Sequence, residues 1–176
     1  MTEPNYTMLR LMIIEAHRVR LRDPSMERMP TGAICPGYDI ELMQTLAVLK
    51  YVCGIKTQWS CQGNHKQQKT TPAYILLPPG ESFPEDLIQL IENAGLAHYT
   101  VPDYDSKFGG YTGKTRFNIR SCNIPNLSCI KPSKLMELNE KFLSVINNWA
   151  REKIIEHLPK MSDPYYEDII SIYKAA

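Results

Sequence analysis

Two pairs of strand-like segments, each joined by a loop without an intervening helix, constrain the fold of this chain most strongly. Residues 55–61 alternate with a period of two, and the apolar run AYILL at 73–77 follows a polar loop. AHYTVP at 97–102 and TRFNIRS at 115–121 form the second pair. Parallel strands need a long crossover, usually a helix, whereas antiparallel strands do not. The sequence therefore predicts a mostly antiparallel, four-stranded sheet in which AYILL is a central strand.

The alternation in the first strand predicts which of its side chains are buried. Ile55, Thr57, Trp59 and Cys61 share one face and are expected to point toward the core, while the intervening polar residues face solvent. The strand should end at Cys61, because a polar loop follows it.

Helical segments flank the two strand pairs. The predicted helices lie at 7–21, at 39–53 with Asp39 as cap, at 82–94 with Ser82 and Glu85 as a capping box, from Ser133 to beyond Trp149, and at 163–174 with Asp163 as cap. The order ααββαββαα predicts an α+β fold class, with a four-stranded sheet covered by helices. Because 176 residues suit one compact core, residues 1–176 are predicted to form a single domain.

Charge and cysteine content exclude several classes of protein. Lys plus Arg number 20 and Asp plus Glu number 19, so the net charge of +1 gives no global attraction to nucleic acid or to an acidic membrane. Charged residues interrupt the apolar run near the N-terminus, which argues against a signal peptide or a spanning helix. Five cysteines without a CxxC pair argue against a disulfide framework. We therefore expect a cytoplasmic protein with reduced thiols and no membrane partner.

The stretch TQWSCQGNH at 57–65 is the leading candidate for a functional site. The small Ser60, the compact Cys61 and the flexible Gly63 at a strand end would let backbone amides face an anion. The predicted ligand-binding residues are Thr57, Ser60, Gly63, Asn64 and Lys66, together with Tyr111, Lys114, Arg116 and Arg120. The sequence therefore predicts binding of an anionic small molecule, most simply a nucleotide-like ligand, or of a nucleic-acid end.

The second half of this predicted site lies on the hairpin that contains residues 103–114. Arg116 and Arg120 share one face of their strand and would be the charge partners, while Tyr111 would stack on the ligand. If both hairpin loops open at one edge of the sheet, they form a basic mouth. Solvated loop charges without a ligand are the competing interpretation.

GGYTGKT at 109–115 is close to a phosphate-binding loop but does not match it. Phe108 stands where the first glycine is required, and the next segment predicts a strand, whereas a phosphate-binding loop must open a helix. We interpret 103–114 as a long, Gly-rich hairpin loop.

Cys61 also supports a catalytic hypothesis. A thiolate is activated by a neighbouring imidazole, so Cys61 would be the nucleophile, His65 its base, and the following backbone would stabilise developing negative charge. A structural thiol is the competing interpretation, because cysteine outside disulfides is among the most buried residue types. No metal site is predicted, since four suitable ligands do not cluster, and no cofactor is assigned.

A third hypothesis is a non-catalytic accessory protein of a phage or bacterium that interacts through its helices. YYEDIISIYK at 165–174 supplies tyrosines either for the core or for contact with a partner. On the contact interpretation, we predict modest self-association into a homo-oligomer.

The segments GYDIELMQTLAVL, IKTQWSCQGNH and AYILL together resemble the tRNA wybutosine-synthesising methyltransferase family, in which a helix leads into a strand ending in a T, SC and G motif. The likeness covers about 40 of the 176 residues and is carried by Asp39, Thr57, Ser60, Cys61 and Gly63. It implies S-adenosylmethionine and tRNA as ligands, although Asn64 stands where that family has a basic residue. The T-x-x-SC-x-G turn is also similar to small uncharacterised proteins of bacteria and bacteriophages, for which no function is implied.

Overall fold

The structure is a computed structural model that describes residues 3–22, 41–63, 71–105, 107, 109–123 and 130–160. Its elements are α1 (Tyr6–Arg22), α2 (Met43–Tyr51), β1 (Trp59–Cys61), β2 (Tyr74–Leu76), α3 (Glu85–Asn93), β3 (Ala97–Asp105), β4 (Gly110–Arg120) and α4 (Pro132–His157), with a 3-10 turn at Leu158–Lys160. This order confirms the predicted α+β class. The helix predicted at 163–174 lies outside the described residues.

The four strands form one antiparallel sheet in the order β1-β2-β4-β3. β2 is short but central, and Ile75, Leu76 and Leu77 are buried, as predicted for AYILL. Strands that are covered on both faces become continuously apolar, which is why this run lacks the alternation of an exposed strand. The antiparallel sheet confirms the prediction that we based on strand pairs joined without an intervening helix.

The hairpin formed by β3 and β4 is longer than predicted, and the expected loop over 103–114 is wrong. The two strands pair from Ala97 and Arg120 out to Asp105 and Gly110, so their connection is only 106–109. The threonines and tyrosines in this stretch favour extended backbone, while Gly113, at φ +76°, allows an irregularity in the ladder. Residues 110–115 of GGYTGKT are therefore strand, which confirms that the segment is not a phosphate-binding loop.

Contacts divide the chain into two compact units, Met1–Gly54 with Ile146–Ala176, and Ile55–Val145. In the first unit α1 packs against α2 and buries Leu9, Met12 and Ile13 at the predicted helical spacing. The second unit contains the whole sheet together with α3, which contacts β3. The single domain predicted over 1–176 is not tested by this division and stays a prediction.

Two helices begin without the caps expected from the sequence. Leu42 is the N-cap of α2 and makes no side-chain cap, so the helix begins later than predicted from Asp39, which lies outside the described residues. Pro84, in place of Ser82, is the N-cap of α3 and likewise makes no side-chain cap. Its φ of −56° and ψ of 139° hold the chain extended just before the helix.

α4 begins at Pro132, one residue before the predicted cap Ser133, which therefore lies in the first turn. Proline suits the first position of a helix, because the N–H that it lacks would have no intrahelical acceptor there. The helical spacing of apolar residues along α4 forms a stripe in which Leu135, Phe142 and Trp149 are buried, while Leu138 and Val145 are half-buried.

Candidate functional site

A buried asparagine on α4 forms hydrogen bonds with the chain just before β2 and just after β4. Asn139 donates from Nδ2 to the carbonyl of Thr71 at 2.8 Å, and its Oδ1 accepts from the N–H of Ala73 at 2.8 Å and the hydroxyl of Ser121 at 2.7 Å. Gly63 has φ +72°, and a Cβ there would collide with the Asn139 amide. The predicted ligand residue Gly63 is thus required for close packing against Asn139.

Asn139 was not singled out from the sequence. It lies at helical spacing between Leu135 and Phe142, both of which are buried. A polar residue at a core-facing position of an apolar stripe must find internal hydrogen-bond partners, and that spacing was the available signal.

Cys61 is half-buried and forms no disulfide. Its Sγ accepts a hydrogen bond from the N–H of Gly63 at 3.4 Å and lies 3.9 Å from Oγ1 of Thr71. These contacts suit a structural thiol. Asn64, His65 and Lys66 lie outside the described residues, so the Cys61–His65 pair stays a prediction.

Strand pairing defines a sheet face that we call the arginine face. Cross-strand pairing forms three rows of side chains on this face. The first row contains Cys61, Tyr74, Arg120 and Ala97, and the second contains Trp59, Leu76, Asn118 and Tyr99. In the third row Val101 lies beside Arg116. Arg116 and Arg120 share this face, as the alternation predicts. Ser60 pairs with Ile75, so its side chain points to the opposite face. Thr57 precedes β1 and is half-buried.

Arg116 lies toward the hairpin end of the arginine face and is only 6% exposed. Its Nε is 3.1 Å from Oδ1 of Asp103, and its Nη1 donates to Oε1 of Gln58 at 3.1 Å. The other carboxylate oxygen of Asp103 accepts the hydroxyl of Thr112 at 2.8 Å. The charge of this predicted ligand residue is therefore already neutralised inside the protein.

Trp59 departs from its predicted burial, because its side chain is 60% exposed. It shares a face with Cys61 as the alternation requires, but β1 is a short edge strand. The guanidinium carbon of Arg116 is 5.7 Å from the centroid of the indole ring. Trp59 thus packs against an arginine and leaves much of its ring open to solvent.

Arg120 lies at the other end of the arginine face and has different neighbours. Its Nη1 donates to the hydroxyl of Tyr99 at 3.4 Å, and its guanidinium carbon is 5.1 Å from the ring centroid of Tyr74. Among the residues that the structure describes, no carboxylate forms an ion pair with it. Arg120 is therefore positioned by two aromatic residues while its charge has no described acidic partner.

Three polar atoms on this face are buried without a hydrogen-bond partner in the described part of the chain. They are Nε of Arg116, Oδ1 of Asn118 and Nε of Arg120, and only the first of them has an ion-pair partner, Asp103. Such atoms are uncommon in folded proteins, because an unmet donor or acceptor costs about 1–3 kcal/mol. Of the three, Oδ1 of Asn118 and Nε of Arg120 have neither a hydrogen-bond partner nor an ion-pair partner among the described residues.

The two hairpin loops open at opposite ends of the sheet, so the expected single basic mouth is wrong. Cys61 and Tyr74, which flank the first loop, align with Arg120 at the end of β4, whereas the second loop precedes Gly110 at its start. Tyr111 is separated from Arg120 by nearly the whole length of β4, roughly 25–30 Å. The structure brings the SCQG turn close to Arg120 but not to Tyr111 or Lys114.

No family model, curated protein or solved structure matches this chain.

Neither a metal cluster nor a membrane span is present in the described part of the chain. No group of three or more His, Cys, Asp and Glu side chains there is arranged to hold a metal ion. None of the helices in those residues has the length and apolar character needed to cross a bilayer.

Proposed function

We propose that this is a cytoplasmic protein that binds an anionic, nucleotide-like ligand, free or as a nucleic-acid end, beside Arg120 on the arginine face. The supporting observation is that the two arginines on this face have different partners. Arg116 has Asp103, whereas no described carboxylate pairs with Arg120. An arginine without an internal counter-charge can give its charge-assisted hydrogen bonds to an external anion.

The surroundings of Arg120 favour a phosphate or carboxylate. A guanidinium presents planar, paired donors that match the oxygens of either group. Tyr74 and Tyr99 restrict the side chain before any ligand arrives, which lowers the entropy lost on binding. Cys61 lies in the same cross-strand row, so the SCQG turn adjoins this end of the sheet.

The nucleotide-like character of the ligand is supported by aromatic residues on the same face. Trp59 is largely exposed on the edge strand, and its row adjoins the row of Arg120. A ligand with a ring as well as an anionic group could contact both residues, because aromatic stacking accepts any base.

Calorimetric titration of the protein with nucleoside mono-, di- and triphosphates, inorganic phosphate and S-adenosylmethionine tests this proposal. Wild-type protein should bind at least one of the anionic compounds, and Arg120→Gln should weaken that binding by about ten- to hundred-fold. Lys141→Gln, which removes a charge from an exposed position on α4, is the matched control. Absence of binding by any anionic compound, or equal binding by Arg120→Gln, would refute the proposal.

A cysteine-dependent enzyme is the second candidate, favoured by the hydrogen bond from the Gly63 N–H to Cys61 Sγ. In this hypothesis Cys61 attacks the substrate and His65 accepts its proton. Peptide-resolved labelling with iodoacetamide across a pH series should then show Cys61 reacting faster than a model thiol. Labelling no faster than that thiol would rule out an activated nucleophile.

A further inference from the structure

The outer part of the β3–β4 hairpin extends beyond the rest of the sheet. β2 pairs with β4 over Asn118–Arg120, and one further hydrogen bond joins Leu77 to Phe117. β3 and β4 continue to pair with each other as far as Asp105 and Gly110. We call residues 101–105 and 110–116 the ribbon, a two-stranded extension that the proposed ligand site beside Arg120 does not use.

Two tyrosines form an exposed aromatic pair on the ribbon. Tyr104 and Tyr111 are directly opposite each other in the ladder, with ring centroids 5.5 Å apart and ring planes at 76°. Tyr104 is 49% exposed and Tyr111 is 75% exposed. The edge-to-face contact braces Tyr111 while leaving most of its ring accessible.

The tyrosine pair lies on the face opposite to the arginine face. Along β3 the side chains of Thr100, Pro102 and Tyr104 are exposed, and those between them are half-buried. Val101 pairs with Arg116 and so belongs to the arginine face. By this alternation Tyr104 and its partner present their rings away from both arginines.

Exposed charges on the hairpin are mainly basic. Lys107 and Lys114 are both exposed. Asp103 is neutralised by Arg116, and the half-buried Asp105 accepts the backbone N–H of Lys107 at 2.8 Å. Two exposed lysines and a solvent-facing aromatic pair are therefore carried by the same hairpin, with one carboxylate, Asp105, not neutralised by an arginine.

We propose that this tyrosine pair and the two lysines bind single-stranded nucleic acid. An accessible ring stacks on an unpaired base whatever its identity, and lysines attract the adjacent phosphates, which is how many sequence-independent single-strand binders work. A duplex keeps its bases stacked inside, so it offers no base to Tyr111. This proposal does not rest on the Arg120 site.

The ribbon proposal can be tested by fluorescence anisotropy with two labelled single strands of equal length, an oligothymidylate and an oligouridylate. A labelled duplex serves as the comparison. Wild-type protein should bind a single strand more tightly than the duplex at low salt. Tyr111→Ala should lower affinity by about ten-fold or more, whereas Tyr111→Phe should retain it, because the ring is kept. The two strands report separately on DNA and RNA.

Salt dependence tests the lysines. Replacing Lys107 and Lys114 together with Gln should flatten the slope of log K against log salt by about 1.4, the value for two phosphate contacts on a single strand. Lys141→Gln should leave the slope unchanged. Calorimetry with mononucleotides tests the Arg120 site separately, so failure of that site and failure of the ribbon give different results.

Three outcomes would overturn the ribbon proposal. They are no oligonucleotide binding at low salt, equal binding by Tyr111→Ala, and a protein dimer that becomes monomeric in Tyr111→Ala without any nucleic acid. The last outcome, seen by light scattering, would assign the tyrosine pair to contact between copies of this chain.

Discussion

Arg116 and Arg120 lie on the same strand and the same face, yet their surroundings differ. Arg116 is 6% exposed, pairs with Asp103 and packs against Trp59. Arg120 contacts two tyrosines and, among the described residues, no carboxylate. The comparison shows that residue type and orientation do not determine whether an arginine is neutralised inside the protein. The position of a carboxylate on the facing strand does.

The difference originates in the ladder between β3 and β4. A register shift between Pro102 and Tyr104 coincides with Gly113 at positive φ on the facing strand. Asp103 lies within this irregular region and reaches both Arg116 and Thr112. Farther along β4 the pairing is regular, and the residues paired with Arg120 are Tyr74 and Ala97, which carry no charge.

Among these variants, replacement of Asp103, the partner of Arg116, should have the largest effect, which is a loss of stability. Asp103→Asn leaves a buried guanidinium without its carboxylate, and we expect the free energy of unfolding to fall by about 3 kcal/mol. Urea denaturation measures this loss. The double variant Asp103→Asn with Arg116→Gln should recover part of it, and a single-variant loss below about 1 kcal/mol would show that the pair is not effectively buried.

Arg120→Gln should give the opposite pattern. Because no described carboxylate depends on Arg120, we expect the free energy of unfolding to change by less than about 1 kcal/mol. Anion affinity should fall by about ten- to hundred-fold in the same protein. Denaturation and calorimetry on one preparation separate the two effects. A stability loss as large as that of Asp103→Asn would assign Arg120 a structural role instead.

Tyr99→Phe should have a smaller effect than Arg120→Gln on anion affinity. It removes the hydroxyl that accepts from Nη1 of Arg120 but keeps the ring. A hydrogen bond of this kind contributes about 0.5–1.5 kcal/mol, so anion affinity should fall by roughly two- to ten-fold through poorer positioning. Tyr51→Phe, on α2 in the other compact unit, is the control. Unchanged affinity would mean that Tyr99 does not position Arg120.

The smallest expected effect that distinguishes the two arginines is a change in the pKa of the Cys122 thiol. Burial raises the pKa of its thiol, while the hydrogen bond with Ser121 and the positive charge of Arg120 lower that pKa. Arg120→Gln should therefore raise the pKa further and slow alkylation at mildly alkaline pH, since the thiolate is the reactive form. Peptide-resolved alkylation rates measure this. Arg116→Lys is the control and should leave the rate at Cys122 unchanged.

Most secondary structure could be predicted because its signals are local. The apolar run AYILL identified a central strand, and alternation along TRFNIRS placed both arginines on one face. The length of the hairpin could not be predicted, since polar and glycine-rich strands outside a core resemble loops. Caps at Ser82 and Ser133 were also misplaced, because neighbouring prolines set the helix starts.

The candidate site was predicted only in part. Arg120 and the SCQG turn do adjoin each other, but Tyr111 and Lys114 lie toward the other end of β4. Gly63 has a structural role against Asn139 that no local pattern around it could indicate, because the two residues are far apart in the chain.

The sequence by itself determined the α+β class, the order of the elements and the shared face of the two arginines, since hydrophobic period and side-chain alternation depend on near neighbours. Only the tertiary structure decided which arginine is neutralised and where each loop opens. Those outcomes depend on strand register and on the irregularity near Gly113, which bring Asp103 to Arg116 and leave Arg120 among aromatic side chains.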